Sequence, residues 1–245
     1  MKNLLVITIA LFAVSGFALA QDSQVETALP AYPKIRIETT AGNLVIELFT
    51  SRAPLTVQNF VQYVESGFYD GTVFHRVVAG FVAQAGGYDA DYKRKTPGPT
   101  IPNESGNGLS NRRGTVAMAR TGEPHSADSQ FYINLTDNTA LDPRPTRWGY
   151  TVFGRVIEGM EVIDEIGYRT TGAGPTPELS KDVPKEPIVI RSMTLVSTEN
   201  EAPVSNEEAT VTAADSDADA EAATDPATDA DTDADTDADA DADAR

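Results

Sequence analysis

Residues 73–87 read VFHRVVAGFVAQAGG, and how this stretch is parsed decides the fold. Two apolar runs, Val73–Val78 and Phe81–Gln84, are separated by Ala79 and Gly80, and Gly86 and Gly87 close the second. Runs this short, rich in β-branched and aromatic residues and bounded by glycine, read as strands. The same signature recurs downstream in Thr115–Ala119, Phe131–Leu135, Thr151–Val156 and Ile188–Leu195. Upstream, Lys34–Thr40 and Asn43–Phe49 are joined by Ala41-Gly42, a hairpin signal. Helical periodicity occurs only twice. Pro54 opens the first stretch, with Val57, Phe60, Val61 and Val64 on one face and Gly67 as its stop; Met160, Ile163 and Ile166 mark the second, after Gly159. Many short strands with two helices predict an antiparallel barrel or sandwich rather than a βαβ fold. Residues 175–187, PTPELSKDVPKEP, are polar and proline-rich and read as a long surface loop before the last strand.

The two ends differ from this body. Of the formal charge of −18 on 245 residues, −16 lies in residues 197–245, which hold 17 acidic side chains and one arginine. The first 196 residues carry 18 basic and 20 acidic groups, hence only −2, with no basic concentration of the kind that displaces phosphate counterions. Nucleic-acid binding is therefore not expected. The tail has no aromatic residue and becomes an Asp-Ala/Asp-Thr repeat from Asp229, the composition of a solvated, disordered segment that keeps a protein soluble. Its functional alternative is weak cation binding or attraction to a basic partner. At the other end Lys2, the apolar run Leu4–Val14 and the small-x-small pattern Ala18-Leu19-Ala20 read as a signal peptide, too short to be a stable membrane span. The expectation is cleavage near Ala20 and a soluble periplasmic or secreted protein without lasting membrane insertion. Four segments result: leader 1–20, lead-in 21–33, one domain 34–196, and tail 197–245. The absence of cysteine excludes disulfides, thiol nucleophiles and Cys-ligated metals, and two histidines cannot make a three-histidine site.

Common catalytic signatures are missing as well. No GxSxG, phosphate-binding glycine loop or HExxH occurs. His125 with Ser126 and Asp128 makes a poor triad, because near neighbours in sequence rarely present base and nucleophile to each other. The sequons at Asn103 and Asn134 read as chance matches. What remains is a set of ordered motifs: residues 73–87, GTVAMAR at 114–120, SQFYIN at 129–134, Leu141-Asp142, and VFG at 152–154. In these the sequence resembles the cyclophilin family of peptidyl-prolyl cis–trans isomerases, most of all its exported bacterial members, from about Lys34 to Leu195. The resemblance implies a mainly β fold, a closed eight-stranded antiparallel barrel capped by two α-helices. It implies an enzyme without cofactor or metal, acting as a monomer on proline-containing segments of unfolded or flexible polypeptides.

Carried over residue by residue, Arg76 matches the family's catalytic arginine. Phe81, Tyr132 and Leu141 match the walls of its proline pocket, Tyr132 standing where phenylalanine is commoner. Val82 matches a further apolar wall position where methionine is commoner. Gln84, Ala119 and Gln130 match groups that line the pocket or hold the substrate backbone. Arg120 lies where many members have an asparagine that bonds substrate through its backbone, so its side chain is not expected to matter. Tyr150 replaces a histidine at the pocket edge and Ala140 replaces a tryptophan. The chemistry asks for this kind of site. Rotation about X–Pro meets a resonance barrier of roughly 18–20 kcal/mol, and no covalent bond has to change. In the twisted state the proline nitrogen can accept a hydrogen bond, so a fixed guanidinium strengthens its hold there and not in the planar amide. Without the motif set, Phe81, Tyr132 and Leu141 would read as ordinary core residues. His75, next to Arg76 but on the opposite face of a strand, reads as structural. The competing function is a proline-peptide binding or chaperone module with little turnover, which would need the pocket but not Arg76.

Overall fold

The computed structural model describes residues 29–196, so the leader, most of the lead-in and the acidic tail lie outside the described residues. Strands β1 (Lys34–Thr39) and β2 (Asn43–Leu48) form the expected hairpin, with Gly42 at φ +136° and the Thr39 amide bonded to the Gly42 carbonyl at 3.0 Å. Helix α1 (Pro54–Glu65) follows, then β3 (Arg76–Val78), β4 (Val82–Ala85), β5 (Thr115–Met118), β6 (Phe131–Asn134), β7 (Val152–Glu158), helix α2 (Met160–Gly167), β8 (Thr171–Gly172), β9 (Val183–Pro184) and β10 (Ile190–Val196). Eight strands make one antiparallel sheet in the order β10-β1-β2-β7-β5-β6-β4-β3, and β8 pairs with β9 separately.

The sheet curls on itself, but its ladder is not continuous all the way round. Its ends, β10 and β3, are linked by one bridge between the residues preceding them, Val73 and Val189, and by bonds from the Phe74 amide to Ile188 and from the Ile190 amide to Thr72. The expected strand from Val73 therefore begins at Arg76, and its first residues serve as this seam. A second departure is the proline-rich loop. It is not wholly a surface element, because Leu179, Val183 and Pro184 are buried and β9 pairs with β8.

Period-2 alternation sorts the side chains of the curled sheet onto two faces. Val77, Ala83, Ile133 and Val116 lie opposite one another on successive strands and join the main core. That core is closed by α1, whose Phe60 ring meets Tyr69, Phe131 and Phe153 at centroid distances of 5.2, 5.4 and 5.0 Å. Helix α2 adds Ile163 and Ile166, both fully buried. The residues one step along each strand point the other way.

Candidate active site

One step along, the facing residues are Arg76 on β3, Gln84 on β4, Tyr132 on β6, Ala117 on β5 and Val152 on β7, a single row across five strands. Around it lies a second apolar cluster, distinct from the core: Val82, Ala117, Tyr132 and Val152, with Phe81, Leu109, Ala119, Leu141 and Tyr150 packed against them. Of the ten site residues named from the sequence, Phe81, Val82, Ala119, Tyr132, Leu141 and Tyr150 thus fall in this cluster. Arg76 and Gln84 continue its row. Gln130 joins through its side chain and Ala119 through its backbone, the Ala119 amide bonding the Gln130 carbonyl at 2.9 Å.

The polar edge is a chain of side-chain hydrogen bonds. Arg76 donates from Nη1 to Gln84 Oε1 at 3.4 Å, and Gln84 donates from Nε2 to Gln130 Oε1 at 3.0 Å. On its other side Arg76 has the Asp182 carboxylate 3.9 Å from Nε. The guanidinium is 38% exposed, so this pair is worth little as stability, but it restricts where a five-donor group can swing. Asp182 was not legible beforehand. It sits in the proline-rich loop, held at φ +63°, and no local pattern marks it.

Beneath the apolar wall runs a buried polar network. The Tyr132 hydroxyl donates to Asn111 Oδ1 at 2.8 Å, and burial pushes its phenol well above the ordinary value, keeping it a donor. Asn111 in turn donates to Asp142 Oδ1 from its amide N–H at 2.7 Å and from Nδ2 at 2.9 Å. Burial raises the Asp142 carboxyl, and the bonds from Ser110 and Asn111 outweigh that and hold it below its ordinary value. Asn138 donates to the Phe81 carbonyl at 2.9 Å and to Asn134 Oδ1 at 2.8 Å, and Asn134 reaches Asn111 Oδ1 at 3.3 Å. One network thus supports three walls: Phe81, Tyr132 and the loop carrying Leu141. Asn111 and Asn138 gave no signal in the sequence, and Asn134 showed only as the end of the motif SQFYIN, because their roles depend on contacts between separate strands and loops.

His75 is 2% exposed and packs against the Tyr88 ring at 4.7 Å. Burial drives its pKa down to about 4, against the pull of the Val73 backbone and the Gln130 side chain, and Nδ1 has no hydrogen-bond partner. The weak triad dissolves: His125 Nδ1 accepts from the Asn103 amide at 3.0 Å, and Ser126 donates to the Glu123 carbonyl at 2.7 Å. Among the described residues no group of three or more His, Asp or Glu could hold a metal ion, and no helix is long and apolar enough to cross a membrane. A cavity of about 500 Å³ between Tyr32, Glu47, Phe49, Arg52, Leu109 and Arg155 contains none of the named site residues. The shelf around Tyr132 carries the convergent donors and apolar walls, and it is the better candidate.

Residues 34–195 match the family model described as cyclophilin type peptidyl-prolyl cis-trans isomerase/CLD. The chain belongs to the cyclophilin-type peptidyl-prolyl cis–trans isomerases. This cyclophilin is 43% identical over 196 residues to peptidyl-prolyl cis-trans isomerase A of Dickeya dadantii, which covers 80% of the chain and 98% of that protein. It is 45% identical over 164 residues to peptidyl-prolyl cis-trans isomerase B of Escherichia coli, covering 66% and 98%. Among solved structures, a Cryptosporidium parvum cyclophilin type peptidyl-prolyl cis-trans isomerase aligns with a TM-score of 0.56 at 27% identity, over 68% of this chain and 98% of that one. A second crystal structure of that protein, in the presence of the dipeptide Ala-Pro, aligns with a TM-score of 0.55 at the same identity, over 67% and 99%.

The departures of this cyclophilin from the commoner family residues have structural consequences. The hydroxyl gained at Tyr132 is the one that engages Asn111. The side chain of Arg120 ties two loops together: Nη2 donates to the Trp148 carbonyl at 2.8 Å and Nε to the Gly149 carbonyl at 3.2 Å. Its guanidinium also lies 4.4 Å over the Tyr150 ring, which meets Tyr132 edge-on at 6.0 Å. Arg120 and Tyr150 therefore pack as a pair beside Tyr132. Ala140 is exposed, and its carbonyl accepts from Arg147.

Proposed function

We propose that this cyclophilin accelerates rotation of X–Pro bonds in unfolded or flexible segments of exported polypeptides, with Arg76 as the donor to the twisted amide nitrogen. The observation that carries this reading is the row Arg76–Gln84–Tyr132, which sets a braced guanidinium at the edge of an apolar shelf. Phe81, Tyr132 and Leu141 hold the proline ring while the preceding carbonyl swings. Gln84 and Gln130 orient the donor, and Ala119 and Arg120 offer backbone groups to the peptide. The apolar surroundings exclude water that would favour the planar, dipolar amide, and the donor strengthens as the nitrogen pyramidalises. The dipeptide Ala-Pro present with the Cryptosporidium relative agrees with a proline-sized pocket. The same reading takes the curled sheet as a barrel sealed at Val73 and Val189, and the mature chain as a monomer released to periplasm or medium by cleavage near Ala20.

The test is an isomerisation assay on a short X–Pro peptide with wild type and Arg76→Ala. A loss of about ten- to a hundredfold in kcat/KM, or about 1–3 kcal/mol, is expected, with peptide affinity little changed. Equal turnover by the two proteins would sink the mechanism, and binding without turnover by wild type would favour a peptide-binding module instead.

A further inference from the structure

Loop 143–149, PRPTRWG, stands beside the pocket wall and is pinned from both sides. Arg144 and Arg147 exchange backbone bonds at 2.8 and 3.0 Å, closing a tight turn, and Arg147 donates to the carbonyl of Ala140, the residue before Leu141. From the other side Arg120 grips the Trp148 and Gly149 carbonyls while stacking on Tyr150. The lip so formed presents Arg144 and Arg147, both exposed, and the Trp148 indole, 46% exposed.

Charge at this lip is not neutralised. Arg76, Arg94, Arg112, Arg113, Arg155 and Arg169 each face a carboxylate. Among the described residues no ion pair involves Arg120, Arg144 or Arg147. Asp142, the carboxylate nearest along the loop, is turned inward onto Ser110 and Asn111. Glu123 is exposed on the turn that follows Arg120, one carboxylate against three guanidiniums.

The chain carries its own complement. Residues 197–245 hold 17 acidic side chains, and within them Asp225-Pro226 is an X–Pro bond with Glu221 before it and Asp229 after it. Pro226 follows Val196 by 30 residues, a length that spans up to about 100 Å when extended, whereas a body of this size is roughly 40 Å across. Pro203 also has acids near it, Glu201 before and Glu207 and Glu208 after, but only 7 residues past Val196 it can reach about 25 Å at most, less than the width of the body.

We propose that the arginine–tryptophan lip of residues 143–149 docks the chain's own acidic tail and brings Asp225-Pro226 to the proline pocket as an intramolecular competitor. The proposal rests on the reading of the Arg76–Tyr132 shelf as the X–Pro site. Tethering places the competitor at an effective concentration of about a millimolar, so weak binding suffices. The attraction is electrostatic and falls as salt shortens the screening length from about 10 Å at 0.1 M to about 3 Å at 1 M.

The experiment uses the full mature chain and an uncharged X–Pro peptide, comparing wild type, Arg144→Glu and Pro226→Ala at about 0.02 M and about 0.5 M salt. At low salt wild type should show KM about fivefold above both variants with kcat unchanged, and the gap should close at high salt. Cis–trans exchange at the Asp225-Pro226 bond, followed by NMR, should be faster in wild type than in the charge-reversed chain. Equal KM in all three proteins at both salts, with normal turnover, overturns the tail proposal and leaves the isomerase reading intact. A lower KM from charge reversal but not from Pro226→Ala also overturns it, since the proline would not be the occupant. No turnover by wild type at either salt overturns the isomerase reading, and this one with it.

Discussion

A methyl group at position 87 would reach the hydrogen-bond chain that ends on Arg76. A Cβ built on Gly87 lies 2.7 Å from Gln130 Cδ and 2.8 Å from Cγ, closer than packed atoms tolerate. Gln130 is the acceptor that holds Gln84, and Gln84 is the acceptor that holds Arg76. Gly87→Ala should therefore lower kcat/KM about tenfold, roughly 1.4 kcal/mol in transition-state stabilisation, with the circular dichroism spectrum unchanged. Wild-type turnover in this variant would mean that the position of Gln130 is unimportant. At this scale the sequence shows a glycine pair after a strand and nothing of what it approaches. The same holds for Arg120 and Tyr150: each is visible as a departure from the family, but their stacking is a contact between separate loops.

Helix α1 illustrates what elements owe to distant residues. Its periodicity is plain in the sequence, and Pro54 suits the first turn because it has no amide donor to leave unpaired. Its N-cap, Ala53, has no side chain to bond the free amides of that turn. Glu104, 49 and 48 residues downstream, does so, accepting from the Leu55 amide at 3.2 Å and the Thr56 amide at 2.9 Å, and from the Thr56 hydroxyl at 2.7 Å. The negative carboxylate also opposes the positive end of the helix. Glu104→Ala should cost about 1–2 kcal/mol, which for a domain of this size is about 3–6 °C in Tm. A calorimetric Tm within a degree of wild type would show that water caps the helix equally well. The partner also anchors the irregular segment between β4 and β5, since the Glu104 amide bonds Thr151 Oγ1 at 3.0 Å.

For the whole molecule the clearest pH dependence comes from His75. Burial lowers its pKa to about 4 in the fold, whereas an exposed histidine in the unfolded chain titrates near 6.5. Between these values the unfolded state binds a proton that the folded state refuses, so stability should fall as pH drops from about 6.5 to about 4, by up to roughly 3 kcal/mol. Urea unfolding across this range should show that slope in wild type and a flatter one in His75→Phe; equal slopes would mean that other groups carry it. The sequence by itself determined the strands of the main sheet, apart from where β3 begins, the two helices, the alternation that separates core from shelf, and the motif set that names the family, because these depend on periods of two and 3.6 residues and on short ordered words; it missed the short β8–β9 pair. It assigned Arg76 and the pocket walls through that resemblance. Only the tertiary structure decided that a single bridge, Val73 to Val189, links the segments at the sheet's two ends, that Asp182 faces Arg76, and that Asn111, Asn134 and Asn138 form one network under three walls. It likewise decided that, among the described residues, no ion pair involves the three arginines at one lip. These are pairings between residues tens of positions apart, and no local pattern carries them, because a side chain's partner is set by which strands the fold brings together.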